Sequence, residues 1–344
     1  MSDSGERRIA ILAHEKFPER AKTALGVLRY GTDDIVAVVD RDNAGSRVHD
    51  HVEFVPDVPI VGDLRDVTDA NTLLIGISPI GGKFDPAWRV DVELALERGW
   101  DVISGLHEFL ADDATFAALA SESGAEIWDV RRPPADLGVS DGIADTVDAD
   151  VYLTVGTDCS IGKMTTTFEL VSALNEAGTK AAVIPTGQTG IMIDGWGLPI
   201  DRIVADFVAG AVEDLILERG NEYEVLIVEG QASIIHPAYS GLIAAIMHGS
   251  MPDGLILCHE AGRQQIHGFE SFEIPPIETV ASLYTELAKP VSPTKICAGA
   301  LNTWSIEDDV TATREVDRFA EQLDAPATDV IRFGTEPIVE AIQR

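Results

Sequence analysis

Residues 151–165 read Val-Tyr-Leu-Thr-Val-Gly-Thr-Asp-Cys-Ser-Ile-Gly-Lys-Met-Thr. Val151–Val155 is apolar apart from Thr154, as expected of a strand buried on both faces of a parallel sheet. Gly156 to Gly162 is a loop of small and polar residues, and Lys163 opens a segment with helical periodicity up to Ala177. Strand, glycine-containing loop and helix in this order make a phosphate-binding loop. Small residues let backbone N–H groups curl around an anion. The amides at the start of the helix add positive potential, and Lys163 adds a point charge. Gly156, Thr157, Asp158, Ser160, Gly162, Lys163 and Thr165 are therefore the candidate phosphate contacts. Two features depart from the common pattern: five residues rather than four separate the two glycines, and Met164 stands where a magnesium-binding hydroxyl is usual. Cys159 reads as a small packing residue of the loop.

Outward from this loop, further chemistry-bearing residues fall at predicted strand ends. Strand Lys180–Pro185 runs into Pro185-Thr186-Gly187-Gln188-Thr189-Gly190, a polar loop on the ligand edge of an open sheet. Strand Tyr223–Val228 delivers Glu229-Gly230-Gln231, with the acid in a Walker-B-like place. His236-Pro237-Ala238-Tyr239-Ser240 follows, and His236 and Tyr239 are the candidates for proton transfer. Cys258-His259-Glu260 ends a later strand.

The whole chain alternates apolar strands with amphipathic helices, which predicts an α/β protein with parallel sheets. In the first half the strands are Arg8–Ala13, Ile35–Asp40, Pro59–Val61, Thr72–Ile77, Asp101–Ser104 and Glu126–Trp128. The helices are Ala21–Tyr30, Pro86–Gly99 and Glu108–Ser121. The N-terminal Met-Ser-Asp-Ser-Gly-Glu-Arg-Arg is polar and reads as a frayed tail leading into the first strand. Asp129–Asp150 loses periodicity and reads as a linker or crossing segment. The expected domains are 1–145, Rossmann-like, and 146–344, P-loop NTPase-like. Later strands are expected at Gly254–Cys258 and Thr294–Ala298, with helices at Ile203–Gly220, Ile277–Ala288, Ala312–Leu323 and Pro337–Gln343. The first strand ends in Ala13-His14-Glu15-Lys16, without the glycines that admit a pyrophosphate, so dinucleotide binding is not the lead reading despite Asp40. Gly76–Gly82 is a candidate second ligand loop, with Asp63, Lys83 and His107 near strand ends.

Composition narrows the classes. Hydrophobic residues are 45% of the 344, and no apolar run is long enough to span a bilayer. Cys159, Cys258 and Cys297 are far apart and show no metal-ligand spacing, which fits a reducing cytoplasm. The balance of 25 basic against 58 acidic residues gives a net charge of −33. Self-repulsion of that size points to a high-salt cytoplasm, and the lack of a basic stripe argues against nucleic-acid binding.

Several motifs together resemble one bacterial and archaeal family: Ala21-Lys22-Thr23-Ala24 with Arg29-Tyr30-Gly31, Asp40, Gly81-Gly82, Gly156–Thr165, Thr186–Gly190, Asp206–Ala211, Glu229–Gln231 and His236–Ser240. Its members pair a Rossmann-like domain with a P-loop-like domain and are D-glutamate (D-amino acid) N-acetyltransferases that use acetyl-CoA. The resemblance implies that Gly156–Thr165 holds the CoA phosphates and that no metal is required, in keeping with Met164. Glu229 or His236 is then the base. Thr186, Gln188, Thr189, Gln231 and Tyr239 are contacts to a small amino-acid substrate, and Arg131, Arg132 and Arg202 are candidate carboxylate partners. A homo-oligomer is expected. The alternatives are an ATP-dependent kinase or ligase of the dethiobiotin-synthetase type, on the Gly-Thr-Asp loop, and a nucleotide-sensing regulator.

Overall fold

The computed structural model describes residues 7–79 and 81–343. The first six residues of the polar N-terminal stretch, Ile80 of the Gly76–Gly82 segment, and Arg344 lie outside the described residues. The chain divides into two compact units, 1–133 with 188–199, and 134–187 with 200–344. The division thus falls after Pro133, ahead of the position 145 expected from loss of periodicity, and one short segment of the second half returns to the first.

The first unit is built on β1 (Arg8–Leu12), α1 (Lys22–Tyr30), β2 (Asp34–Val39), β3 (Ile60–Val61), β4 (Thr72–Ile75), α2 (Arg89–Glu97), β5 (Asp101–Ser104), α3 (Ala114–Ser123) and β6 (Ile127–Asp129). The strands form a parallel sheet in the order β3-β2-β1-β4-β5-β6. Helices cover strands that are buried on both faces, so β1 and β4 are apolar without alternation. Gly76, just after β4, lets α1 lie against the sheet: a Cβ there would stand 2.5 Å from Ile11 Cγ2 and 2.8 Å from Ala24 Cβ. Asp40, fully buried after β2, accepts from Glu15 N (2.6 Å) and Asn43 Nδ2 (2.7 Å). Its carboxylate fastens the turn after β1 instead of presenting itself to a ribose.

The second unit contains β7 (Asp150–Gly156), α4 (Lys163–Glu176) and β8 (Ala181–Ile184). Helix α5 (Gln188–Asp194) belongs to the first unit. The stretch expected as a glycine-rich loop is therefore a short turn followed by a helix. The second unit resumes with α6 (Val208–Arg219), β9 (Val225–Val228), α7 (Ser240–Ser250), β10 (Gly254–Glu260), β11 (Gln265–Ile266) and β12 (Phe269–Glu273). It ends with α8 (Ile277–Ala288), β13 (Lys295–Asn302), α9 (Asp309–Leu323), β14 (Ala327–Thr328) and α10 (Glu336–Ile342). Its parallel sheet runs β14-β13-β10-β7-β9-β8, and β11–β12 is a separate antiparallel hairpin. β7 lies inside the sheet between β10 and β9, so the loop after it sits at the centre of the carboxyl edge. Among the described residues no helix is long and apolar enough to cross a membrane.

The crossing segment ahead of β7 is ordered by one buried acid. Glu213 on α6 accepts from Asp141 N (2.6 Å), Ile143 N (2.7 Å) and Ser140 Oγ (2.9 Å). Gly210, one turn earlier, leaves room for the strand of chain: its Cβ would stand 2.3 Å from Gly138 O. Burial pushes the Glu213 carboxyl up, but the backbone and serine hydrogen bonds together outweigh it and hold the pKa below its usual value. The associated stability is complete above the ordinary carboxyl range and is lost as pH falls through the depressed value. Glu213→Gln places an NH2 among donors, and we expect it to lower unfolding stability by about 2 kcal/mol. Urea titrations at pH 7 should show this, and the difference from the parent should shrink toward acid pH. An unchanged midpoint would remove the role.

Candidate functional site

The phosphate loop begins where β7 ends. Gly156 is pinned by Tyr284 of α8, whose hydroxyl donates to Gly156 O (2.7 Å) and accepts from Ile234 N (3.0 Å). Burial pushes that phenol up to about 12, so it stays a neutral bridge. The loop then reverses through Ser160 (φ 54°) and Gly162 (φ 106°), both left-handed. Serine tolerates this poorly, and such strain concentrates at functional loops. The first bond of α4 runs from Thr166 N to Gly162 O (2.8 Å). Ahead of it, the amides of Ser160, Ile161 and Gly162 have no partner among the described residues. These amides, together with the start of a 14-residue helix, form a ready anion cradle.

Lys163 lies inside the cradle. It is 6% exposed and donates from Nζ to Asp158 O (2.6 Å) across the loop. Met164 is buried, Thr165 is half-buried, and the buried Thr166 accepts from Cys258 Sγ at 3.7 Å. Thr157 is buried and hydrogen-bonds His259 Nδ1 (2.8 Å). Burial, with Arg263 nearby, lowers His259 to about 4, so its ring is neutral near pH 7.

Asp158 plays a different part from a loop residue reaching for the ligand. Its buried carboxylate accepts from Cys159 N (2.7 Å), Arg263 Nη1 (3.0 Å) and His267 N (2.8 Å). Arg263 also donates to Cys159 O (3.0 Å) and to Glu260 Oε2 (2.7 Å). The segment after β10 is thereby clamped to the loop. Sequence reasoning missed Arg263 and Tyr284. Neither sits in a motif, and each reaches the loop from more than 100 residues away.

A second cluster gathers at the end of β9. Glu229 is 5% exposed, and its Oε2 accepts from Thr186 N (3.3 Å) and Gly187 N (3.2 Å). Thr186 Oγ1 donates to Glu229 O (2.5 Å), and Gln231 Nε2 donates to Thr186 Oγ1 (3.1 Å). A Cβ on Gly187 would stand 2.7 Å from Gln231 Nε2 and 3.2 Å from Glu229 Oε1. Glycine at 187 thus leaves the carboxylate and the amide side by side.

His236, 2% exposed, joins the loop: one ligand atom each from Asp158, Cys159 and His236 lie within 4.8 Å of one another. The His236 ring stacks on Tyr239 (4.6 Å) and meets Phe269 edge-on (5.2 Å). Ala238 N donates to His236 Nδ1 (3.1 Å), which puts the proton of the neutral ring on Nε2. Burial lowers the His236 pKa, with Asp158 opposing and Lys163 reinforcing that shift. His236 is thereby fitted to donate a hydrogen bond. The same bond to Nδ1, and the occupation of Asp158 by Arg263, weigh against a metal ion on this trio.

The other expected contacts are divided. Thr186, Gln231, Glu229, His236, Tyr239 and the loop share the second unit, whereas Gln188 and Thr189 belong to the first. There Thr189 Oγ1 hydrogen-bonds Thr23 Oγ1 (3.1 Å), and Gln188 bonds Ser78 Oγ (3.2 Å) and the guanidinium of Arg131 (2.8 Å). Arg132 pairs with Asp112 (2.6 Å) in the same unit, while Arg202 lies in the second. Cys258 and Cys297 are pushed up to about 11 by burial and are inert thiols.

Comparison with known proteins agrees with this anatomy. Residues 41–133 match a family model described as a Rossmann-like domain (DUF1611_N), and residues 138–339 match one described as a P-loop domain (DUF1611_C). A crystal structure of a DUF1611 family protein from Anabaena variabilis superposes with a TM-score of 0.93 at 36% identity, covering 98% of this chain and 99% of that one. D-glutamate N-acetyltransferase from Tritonibacter scottomollicae is 34% identical over 94% of both chains. The enzyme of that name from a Pseudoalteromonas species is 34% identical over 78% of this chain and 80% of its own. The chain belongs to the DUF1611 family, that of the D-glutamate N-acetyltransferases, and is an enzyme of the acyltransferase class.

Proposed function

We propose that this enzyme moves an acetyl group from acetyl-CoA to the α-amine of D-glutamate or a related D-amino acid. The observation that carries the reading is a phosphate loop with Lys163 in place and Met164 buried where a magnesium-binding hydroxyl is usual. Such a loop suits a diphosphate that is held and not cleaved. The neutral amine attacks the thioester carbonyl, the C–N bond forms, the C–S bond breaks and the CoA thiolate leaves. Glu229, with one oxygen fixed by two amides, takes the amine proton, which then passes to the thiolate or to water. His236 Nε2–H and Gln231 Nε2 are donors for the oxygen that gains negative charge in the tetrahedral intermediate. For these groups to reach the thioester, the pantetheine arm has to fold back along the sheet edge from the phosphates.

Incubating the protein with acetyl-CoA and a panel of D- and L-amino acids should release free thiol, fastest with D-glutamate or a close analogue. Substrate-dependent ADP formation from ATP with no thiol release would favour the ligase reading instead. The same proposal includes a salt-rich cytoplasm, following from the net charge of −33. The melting temperature should climb from low to multimolar KCl, and a flat profile would remove that part.

A further inference from the structure

A cavity of about 260 Å³ opens at the carboxyl ends of β10 and β13, beside α9. The lining is more polar than apolar: Pro276, Leu301 and Phe319 give it apolar faces, and Gln264, Arg318 and Gln322 bring hydrogen-bonding groups. Its volume is below the roughly 300–1,000 Å³ of pockets that enclose a whole ligand, so it suits one fragment of a larger molecule. A few apolar faces set among hydrogen-bonding groups suit a flat heteroaromatic ring, which stacks on its faces and hydrogen-bonds along its edge.

The cavity adjoins the phosphate loop through two of its own lining residues. His259 bonds Thr157 in the loop and stacks on Phe319 (5.9 Å). Arg263 reaches from the cavity to Asp158 and to Cys159 O. A chain of contacts therefore runs from anion cradle to arginine to cavity. On α9, Arg318 is two-thirds exposed and 3.6 Å from Glu315. So loose a surface pair costs little to exchange for a phosphate.

Resting on the acetyl-CoA reading, we propose that this cavity takes the adenine ring of the acyl donor, with Arg318 placed for the 3′-phosphate of its ribose. The nucleotide end is then held at two points, the diphosphate by the loop and the base by the cavity. The site discriminates a CoA thioester from a shorter thioester that carries the same acetyl group.

Two surface variants of α9 test this, Arg318→Glu to oppose the phosphate and Gln322→Trp to fill the cavity. Each is assayed with acetyl-CoA and with S-acetylpantetheine, which lacks the nucleotide. kcat/KM for acetyl-CoA should fall by about ten- to a hundredfold, with the value for S-acetylpantetheine unchanged. Equal losses with both donors, or no loss with either, would overturn the assignment. Calorimetric titration of the parent chain with adenosine 3′,5′-bisphosphate separates this idea from the transfer reading. Binding that both variants weaken supports the cavity even if no amine is acetylated. No binding to the parent sinks the cavity while leaving acetyl transfer to stand on its own assay.

Discussion

Lys163→Ala should bind acetyl-CoA at least about a hundredfold more weakly than the parent, with little change in melting temperature. Lys163 is 6% exposed, and its ammonium group donates across a loop whose amides at Ser160, Ile161 and Gly162 have no partner among the described residues. A phosphate entering the cradle meets a charge whose desolvation is already complete, so most of the attraction appears as affinity. Its present bond to Asp158 O is short and neutral on the acceptor side, so removing it affects the fold modestly. Lys163→Arg should fail nearly as badly. A guanidinium fork is too broad for a space shaped around a single Nζ at 2.6 Å from a backbone oxygen. Calorimetry with CoA gives the affinities directly. Parental affinity in Lys163→Ala would put the diphosphate at some other place on the protein.

That the decisive loop could be read from sequence follows from its being local. Gly156 to Lys163 is one turn between a strand and a helix, so every residue of the cradle is a near neighbour of the others. The same holds for Glu229 at the end of β9. The parts that were not legible depend on distance along the chain. Asp129–Asp150 reads as a linker because nothing in it is periodic, and what orders it is Glu213, some 70 residues further on. Gln188 and Thr189 directly follow Thr186 and Gly187, yet the chain passes into the other unit between 187 and 188. No local pattern marks that crossing, because the α5 side chains Ile191 and Met192 would suit either core. Helix α7 goes unread because Gly-Leu-Ile-Ala-Ala-Ile-Met is apolar around its whole circumference and shows no stripe. The β11–β12 hairpin is missed for the opposite reason: β12 is exposed throughout and so has no alternation to detect. The role of His236 divides in the same way. Its proximity to Asp158 and Cys159 is a long-range fact, but its proton position is set two residues away, by Ala238 N.

Gly230→Ala should be the most destabilising single methyl in the second unit. β9 ends at Val228, and the chain then crosses over β7 so closely that a Cβ on Gly230 would lie 1.7 Å from Thr154 O and 2.9 Å from Thr154 C. Both are main-chain atoms of a central strand, so no side-chain rotation can relieve the overlap. The crossing is further fixed by Gly230 N, which donates to Thr154 Oγ1 (3.0 Å). That hydroxyl in turn bonds Val228 O (3.2 Å) and the Thr167 hydroxyl (3.1 Å) on α4. Overpacking in a rigid core costs about 1–3 kcal/mol where neighbours can shift, and here the neighbours are backbone, so we expect more than about 3 kcal/mol. The displacement has a direction as well as a cost. It lifts Glu229 and Gln231 away from Thr186 and Gly187, and it strains the helix that begins with Lys163. Urea unfolding should show the loss of stability. At a temperature where the variant is still folded, its turnover should fall further than its affinity for CoA. Parental stability in Gly230→Ala would mean that β7 and the end of β9 are free to separate, which the bonds through Thr154 do not permit.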